Sequence, residues 1–312
     1  MAKRKSKPSG MQSLFPEWER AQKQLDREGF TPNHSAVYIS FSGGKDSVAC
    51  YILACQLYAK AKINLIFTDT LDEAPETYEY CAWFNANVHP ITRLVTLENG
   101  RNNNGRILET HEVTWQDSIE TLAETYLTVF DEITERHRSN PSVPPFPANG
   151  IRFCTQTLKV RAFGRWVRAL YPDYKTRKEI VVGLGLRRAE SDNRSDTPYF
   201  GFDLDNGWNL WYPVFDYTTA EIFELHIRHH IKINPIYQYR ERSNCVGCPF
   251  SSSHEIAATV AKHGKQAISG WVALEQLTGY TWKNGVSIAD LAEDTPRLVE
   301  AENCNSGYCE VI

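Results

Sequence analysis

Residues 42–47 read Ser42-Gly43-Gly44-Lys45-Asp46-Ser47, and they directly follow the apolar run at residues 36–41. That run is rich in β-branched and aromatic side chains, which predicts a buried strand. Residues 48–59 are rich in Ala, Leu, Ile and Cys, which predicts a helix. The hexapeptide therefore lies where a strand ends and a helix begins, and this position decides how the whole chain is interpreted.

The hexapeptide has the chemistry of a phosphate-binding loop, and residues 42–47 are called the phosphate loop below. Its two glycines let the backbone turn sharply and bring amide groups close to a ligand. The free N–H groups and the positive dipole end of the following helix then face an anion. The two serines add hydroxyl donors, and Lys45 adds a positive charge. The alternative interpretation is an ordinary glycine-rich turn with a serine at the helix N-cap.

The composition is that of an ordinary globular protein. With 312 residues, the chain can bury one large core or two smaller ones. The formal net charge of -4 argues against a surface coated with positive charge for nucleic-acid binding, although a local basic groove is compatible with it. No run approaches the roughly 18 apolar residues of a membrane span. The basic start is not followed by an apolar segment, so we expect no secretory signal and a cytoplasmic location.

A β-α-β-α-β rhythm runs through the first hundred residues. Residues 63–68 predict a second strand that ends at Asp69, Pro75 suits the first position of a helix over 76–87, and residues 92–97 predict a third strand. This alternation predicts an α/β fold, with a parallel twisted sheet and helices on both faces. Ligands bind such sheets beyond the carboxyl ends of the strands, so the phosphate loop and Asp69 are expected at the same edge.

The rest of the chain is expected to extend this domain. Residues 1–30 are interpreted as a tail and a helix, and residues 31–249 as the α/β domain. Residues 98–150 are interpreted as an inserted, substrate-facing lobe, and residues 250–312 as a helical C-terminal extension with a cysteine-containing tail. Further elements are predicted as a helical stretch at 116–137, strands at 180–183 and 208–214, and a helix at 219–230 with a threonine N-cap.

Cysteine usage indicates a metal site. Cys245 and Cys248 form a C-x-x-C turn, Cys154 precedes a predicted helix, and Cys304 or Cys309 in the tail could supply a fourth ligand. Thiolates at this spacing favour zinc or an iron–sulfur cluster. The alternatives are a redox pair or simply a turn. The remaining cysteines lie on predicted apolar helix faces and are expected in the core: Cys50, Cys55 and Cys81.

Two adjacent arginines follow the strand predicted at 180–183. Arg187 and Arg188 could clamp a phosphate or a carboxylate if the loop faces the carboxyl edge of the sheet. The alternative is a solvated surface loop with charges.

Several segments together resemble the phosphoadenosine-phosphosulfate reductase-like branch of the PP-loop ATP pyrophosphatase superfamily, which cleaves ATP between its α and β phosphates. The loop differs from the Walker-A loop, because only a glycine pair precedes Lys45 and Asp46 follows it. The resemblance covers roughly residues 35–250. The matching stretches keep the family order and are residues 42–47, 68–70, 75–79, 152–155, 158–159, 185–187, 190–191, 212–216, 234–237 and 245–249.

The resemblance implies an adenine-nucleotide alpha-hydrolase-like fold and a set of site residues. It implies catalytic roles for Lys45, Asp46, Asp69 and Arg187, with Mg²⁺ bridging the phosphates of ATP and held or oriented by Asp46 or Asp69. It also implies a 4Fe–4S cluster, or zinc as the alternative, on Cys154, Cys245, Cys248 and either Cys309 or Cys304. The cofactor-binding residues that it implies are Ser42, Gly43, Gly44, Lys45, Asp46, Ser47, Asp69, Gly185, Arg187 and Glu190.

Within that branch, the chain looks closest to the ATP-hydrolysing sulfur-transfer proteins of the Dnd and Ssp DNA phosphorothioation systems. Its phosphate loop is complete, whereas sulfonucleotide reductases often have a degenerate loop and a Glu-Cys-Gly-Leu-His-type tail, which this chain lacks. The implied partners are nucleic acid as the acceptor, with DNA favoured, a cysteine desulfurase as the sulfur donor, and other modification-complex subunits. The alternatives are a sulfonucleotide reductase and a tRNA thiolation enzyme. One departure is Leu71, where many relatives have glycine.

Overall fold

The computed structural model describes residues 19–21, 23, 24, 26, 34–148, 151–188, 198–283 and 285–292. Its centre is one seven-stranded sheet. The strands are β1 (Ala36–Ser40), β2 (Ile63–Thr68), β3 (Ile91–Asn102), β4 (Gly105–Val113), β5 (Ile180–Gly183), β6 (Phe200–Asp203) and β7 (Trp208–Trp211). Their order across the sheet is β4-β3-β2-β1-β5-β7-β6.

Helices connect and cover these strands. The α-helices are α1 (Lys45–Leu57), α2 (Pro75–Asn87), α3 (Ile119–Thr125), α4 (Val129–Ser139), α5 (Arg161–Leu170), α6 (Tyr174–Arg177), α7 (Thr219–Arg228), α8 (Ser253–His263), α9 (Ser269–Thr278) and α10 (Ile288–Leu291). A π-helix at Thr155–Val160 leads into α5, and 3₁₀ turns lie at Lys60–Lys62, Pro235–Gln238 and Lys265–Ile268. No helix among the described residues is long and apolar enough to cross a membrane.

The predicted parallel sheet is confirmed for its central five strands. β1 pairs in parallel with β2 and β5, β2 with β3, and β5 with β7. The two edge strands are antiparallel, since β4 returns along β3 and β6 lies against β7. The sequence did not reveal β4 because its side chains are mostly polar and partly exposed, so the strand lacks the apolar run by which the central strands are recognised.

Helices cover both faces of the sheet, as predicted. On one face, α1, α2 and α7 enclose the largest apolar cluster, which includes Val37, Phe41 and Phe84. On the other face, α5 packs Val167 against Tyr38. Helices cover both faces because successive side chains of a strand point to opposite faces of the sheet, and in β1 they are apolar on both.

The C-terminal helices form a second apolar cluster with α4. Trp271, Trp282, Phe146 and Ile133 are buried in it. The predicted helical stretch at 116–137 is instead two helices, because Ser118 caps α3 and Thr128 caps α4 in a capping box of its own. The C-terminal cluster therefore places α8 and α9 beside the C-x-x-C turn at the ligand-binding edge of the sheet.

Candidate functional site

The phosphate loop presents the open end of α1 to a cavity. Gly44 is the N-cap, its backbone is extended, and as a glycine it offers no side-chain cap. The Lys45 amide donates to a tyrosine hydroxyl, so the first-turn amides that remain to face an anion are those of Asp46 and Ser47. Gly43 has φ +70°, and a Cβ on it would lie 2.6 Å from the Sγ of Cys81. Gly43 is thus required by both conformation and close packing, whereas Gly44 has an ordinary φ and a Cβ on it would meet its neighbours at 3.2 Å or more.

Charged side chains surround the start of α1. The Lys45 Nζ lies 3.4 Å from the Oδ2 of Asp46, and the Arg187 Nε lies 2.7 Å from the Oδ1 of the same carboxylate. Arg187 also donates to the Oγ1 of Thr219 at 3.0 Å. The fold therefore brings Lys45, Asp46 and Arg187 together from distant parts of the sequence.

Gly185 supports the phosphate loop from behind. A Cβ on this residue would lie 3.0 Å from the carbonyl carbon of Asp46 and 3.1 Å from the amide nitrogen of Ser47. Both neighbours are backbone atoms in the first turn of α1, so they cannot rotate away. Gly185 and the loop line the same cavity.

We expect Gly185→Ala to weaken the binding of a phosphate ligand to the loop about tenfold, because overpacking of about 1–3 kcal/mol must shift the first turn of α1. The matched control is Gly201→Ala, where the nearest atom to an added Cβ is 3.8 Å away, an ordinary contact. Calorimetric titration with ATP compares the two. Equal affinities for both variants would show that Gly185 does not position the loop.

Asp69 lies near the loop but does not line the cavity. Its Oδ1 accepts from the Leu71 amide at 2.8 Å and from the Tyr78 hydroxyl at 2.8 Å, and its Oδ2 lies 2.8 Å from the Arg93 Nη2. Burial raises its pKa, although the charge of Arg93 opposes this shift. Both oxygens are thus engaged by protein groups. The Asp46 oxygens also have cationic partners, Lys45 and Arg187, but Asp46 lines the cavity and Asp69 does not, so Asp46 is the better placed of the two to hold a magnesium ion.

The Asp69 carboxylate also helps to hold Leu71 in an unusual backbone conformation. This residue has φ +58°, a left-handed conformation that glycine adopts readily and leucine rarely. The hydrogen bond from its amide to Asp69 and the burial of its side chain hold it there. The chain therefore keeps the backbone conformation for which glycine is suited at this position.

Three residues that brace the loop had no role assigned from the sequence. The Tyr237 hydroxyl accepts from the Lys45 amide at 2.9 Å, and Asn234 donates from Nδ2 to the Gly43 carbonyl at 3.0 Å. His226, kept neutral because burial lowers its pKa, lies with Nε2 2.9 Å from the Lys45 carbonyl. Tyr237 and Asn234 belong to the Asn-Pro-Ile-Tyr stretch that matches the family, which was a signal that they matter. His226 is a single histidine on a helix, and no sequence pattern pointed to it.

The two cysteines of the C-x-x-C turn also line the cavity. The Cys248 amide donates to the Cys245 carbonyl at 3.2 Å, and the Val246 amide donates to the Asp72 carbonyl at 2.8 Å. A Cβ on Gly247 would lie 2.3 Å from the Trp271 indole. The glycine is therefore needed because α9 packs its tryptophan directly onto the turn.

The three cysteines of the cavity are partly buried, and one of them faces a carboxylate. The Cys245 Sγ lies 3.5 Å from the Glu73 Oε1, which also accepts from the Lys159 Nζ at 3.0 Å. Burial raises the pKa of Cys245, and the charge of Glu73 raises it further. Burial likewise raises the pKa of Cys154 and of Cys248.

Three of the predicted ligands meet in this cavity: Cys154, Cys245 and Cys248 all line it. In the part of the chain that the structure describes, however, no group of three or more His, Cys, Asp or Glu side chains is arranged to hold a metal ion. The predictions for Glu190, Cys304 and Cys309 lie outside the described residues. The other three cysteines lie on α1 and α2, where Cys50 and Cys81 are fully buried and Cys55 is partly buried.

The cavity is one space of about 520 Å³. Residues of the phosphate loop and the three cysteines both line this space. Arg152, Lys159 and Arg242 add positive charge to its wall. An anion bound on the loop and a group activated at the thiols could therefore share one chamber.

Comparison with known proteins gives a family match over most of the chain. The model of the phosphoadenosine phosphosulfate reductase domain matches residues 36–254. An uncharacterized 37.8 kDa protein of Escherichia phage 186, from the gpa 5' region, is 28% identical over 280 residues, which span 84% of this chain and 81% of that protein.

Solved structures also align with the chain, with low identity. Phosphoadenylyl-sulfate reductase from Candida auris in its phosphate complex gives a TM-score of 0.42 at 15% identity, covering 78% of this chain and 98% of that one. FMN adenylyltransferase from Candida glabrata, with FMN and an ATP analogue, gives a TM-score of 0.42 at 12% identity, covering 78% of this chain and 68% of that one. The U34-tRNA thiolase NcsA from Methanococcus maripaludis, with its 4Fe–4S cluster, gives a TM-score of 0.40 at 14% identity, covering 92% of this chain and 90% of that one.

Proposed function

The chain belongs to the phosphoadenosine phosphosulfate reductase domain family, and from this premise we propose that it is an ATP pyrophosphatase that adenylates an acceptor for sulfur incorporation. The acceptor is a phosphate or a base of nucleic acid, with DNA phosphorothioate modification favoured. One observation carries the proposal: a complete phosphate loop and three cysteine thiols line the same cavity. Nucleotide activation and sulfur chemistry would then take place within one chamber.

The loop would hold the pyrophosphate end of ATP. The Asp46 and Ser47 amides in the first turn of α1 would bind the β and γ phosphates, while Lys45 and Arg187 offset the charge on the leaving pyrophosphate. Asp46 is the only carboxylate among the described residues that line the cavity. Its hard oxygen donors suit Mg²⁺, which usually binds through one or two carboxylates and the substrate phosphates.

The reaction itself asks for little covalent work from the side chains. An acceptor oxygen attacks the α-phosphorus, the bond from that phosphorus to the bridging oxygen breaks, and pyrophosphate leaves with the electron pair. A sulfur nucleophile, which we propose is the persulfide of a cysteine desulfurase, then displaces AMP, and a second thiol reduces the remaining S–S bond. Positioning and electrostatics supply most of the rate enhancement in such transfers.

The three thiols suit a soft metal by donor type. Cys154, Cys245 and Cys248 would hold an iron–sulfur cluster, or zinc, together with a tail cysteine. In the described residues the thiols are not yet arranged as a metal group, so binding requires that they deprotonate and draw together. The bound centre would supply sulfur-handling chemistry or brace the site.

The family description favours one second candidate, a sulfonucleotide reductase. Such an enzyme reduces a ready-made sulfonucleotide with a thiol donor and does not cleave ATP. A tRNA thiolation enzyme would share the ATP chemistry and differ only in its acceptor.

Product identification separates these functions. The anaerobically purified protein is incubated with Mg²⁺ and ATP labelled at the α-phosphate, and the products are resolved by chromatography. We expect AMP and pyrophosphate in equal amounts. Formation of ADP and phosphate, or thiol-dependent reduction of phosphoadenosine phosphosulfate without ATP cleavage, would refute the proposed function.

A further inference from the structure

Resting on the proposed function, we propose that Arg152 and Arg242 form the acceptor-binding site and that they bind a phosphodiester of a nucleic-acid backbone. Both arginines line the cavity between the phosphate loop and the thiols. Both are exposed in the described structure. The nucleotide and metal sites proposed above use neither of them.

Arg242 lines the cavity next to a residue that contacts the phosphate loop. The neighbouring Ser243 has its Cβ 3.3 Å from where a Cβ on Gly44 would lie. The Arg242 amide donates to the Glu255 Oε1 at 3.1 Å, and the other oxygen of that carboxylate accepts from the Ser252 amide at 3.0 Å. The nearby carboxylate is thus engaged by backbone groups and leaves the guanidinium of Arg242 available.

Arg152 lines the cavity close in sequence to a cysteine. Its guanidinium stacks on the ring of Phe250, 4.4 Å from the ring centre. Phe250 is two residues beyond Cys248, and Arg152 is two residues before Cys154. Stacking fixes the plane of the guanidinium and leaves its N–H donors directed around the ring edge. Arg152 is therefore held in place beside the thiols.

Arg152 and Arg242 differ from the other cations of the cavity wall in their ion pairing. Among the described residues, four cations line it, and two of them have a carboxylate partner: Lys45 lies beside Asp46, and Lys159 lies 3.0 Å from Glu73. Arg152 and Arg242 have no carboxylate within ion-pair distance in the part of the chain that the structure describes. The uncompensated positive charge of the wall is therefore concentrated on the two guanidinium groups.

Their placement indicates what kind of anion they bind. Guanidinium groups form bidentate hydrogen bonds with phosphate oxygens. Arg242 precedes a residue that contacts the phosphate loop, and Arg152 is held beside the thiols. A phosphate bound between them would therefore lie within reach of both an adenylate and a sulfur nucleophile. Both residues are exposed in the described structure, as contact with a phosphate that is part of a long polymer requires.

Fluorescence anisotropy tests this site on the full chain. The probes are a labelled short DNA duplex and an RNA hairpin of matching sequence, each titrated at several salt concentrations. For the double variant Arg152→Gln/Arg242→Gln, we expect at least tenfold weaker binding of the preferred probe. For the duplex, the slope of log affinity against log salt should fall by about 0.9 for each phosphate that the variant no longer neutralises. The preferred probe distinguishes a DNA backbone from an RNA backbone.

Arg138→Gln is the matched control, since its side chain is 72% exposed on α4 and lies outside the cavity lining. It should bind both probes as the unmodified protein does. Unchanged affinity and salt slope in the double variant, or no binding of either probe by the unmodified protein, would overturn the site. Pyrophosphate release, measured in parallel, distinguishes failure of the arginine site from failure of the proposed function. Binding without ATP cleavage would refute the function alone, and cleavage with an unaffected double variant would refute the site alone.

Discussion

Replacement of Lys45 by alanine is expected to lower the rate of pyrophosphate release by on the order of 10³-fold while leaving the fold intact. The Lys45 side chain is only 8% exposed, and its Nζ lies above the Tyr237 ring and beside Asp46 at the open end of α1. Its charge is therefore poorly screened by water and is placed to offset the charge that develops on pyrophosphate. Coupled detection of pyrophosphate gives the rate, and circular dichroism checks the fold.

The matched control for this experiment is Lys60→Ala. Lys60 is an exposed lysine in the 3₁₀ turn after α1, away from the cavity lining. This variant should release pyrophosphate at the unmodified rate. If Lys45→Ala also kept that rate, the assigned role of the lysine would be wrong.

Substitution of Cys245 by serine is expected to remove the bound metal, with a loss of metal affinity on the order of 100-fold or more. Cys245 lines the cavity, and its Sγ lies 3.4 Å from the Thr70 Oγ1 and 3.5 Å from the Glu73 Oε1. Serine keeps the size of the side chain but is a poor ligand for soft metals. Anaerobic purification, absorbance and elemental analysis measure the result, and an iron–sulfur centre would lose its brown colour.

Cys55→Ser controls for general effects of losing a thiol, because Cys55 is partly buried on α1 and does not line the cavity. It should retain full metal content. Iron content unchanged in Cys245→Ser would contradict the proposed ligand. Zinc without iron in the unmodified protein would rule out the cluster and leave the thiol site to zinc.

Features that depend on local sequence were predicted well. The phosphate loop could be placed at the junction of β1 and α1 because its turn, its helix start and its charge are encoded within six adjacent residues. Pro75 similarly marks the first turn of α2. The central strands were recognised because burial on both faces requires continuous apolar runs.

Features that depend on the tertiary fold could not be predicted in the same way. The contacts of Tyr237 and His226 with the Lys45 backbone span 192 and 181 residues, and no local pattern encodes them. The buried pairing of Asp69 with Arg93 was hidden because an aspartate at the end of a strand is equally typical of a ligand-binding residue. The polar edge strand β4 is specified by its pairing with β3 rather than by its own composition.

The central claim is that the phosphate loop binds the triphosphate of ATP so that AMP can be transferred to an acceptor. A crystal soaked with Mg²⁺ and the non-cleavable analogue α,β-methylene-ATP tests it most directly. We expect β- and γ-phosphate oxygens within hydrogen-bond distance of amides in residues 43–47, with the α-phosphate facing the cavity and the thiols. A nucleotide bound elsewhere, with this loop empty and its amides turned away, would contradict the claim.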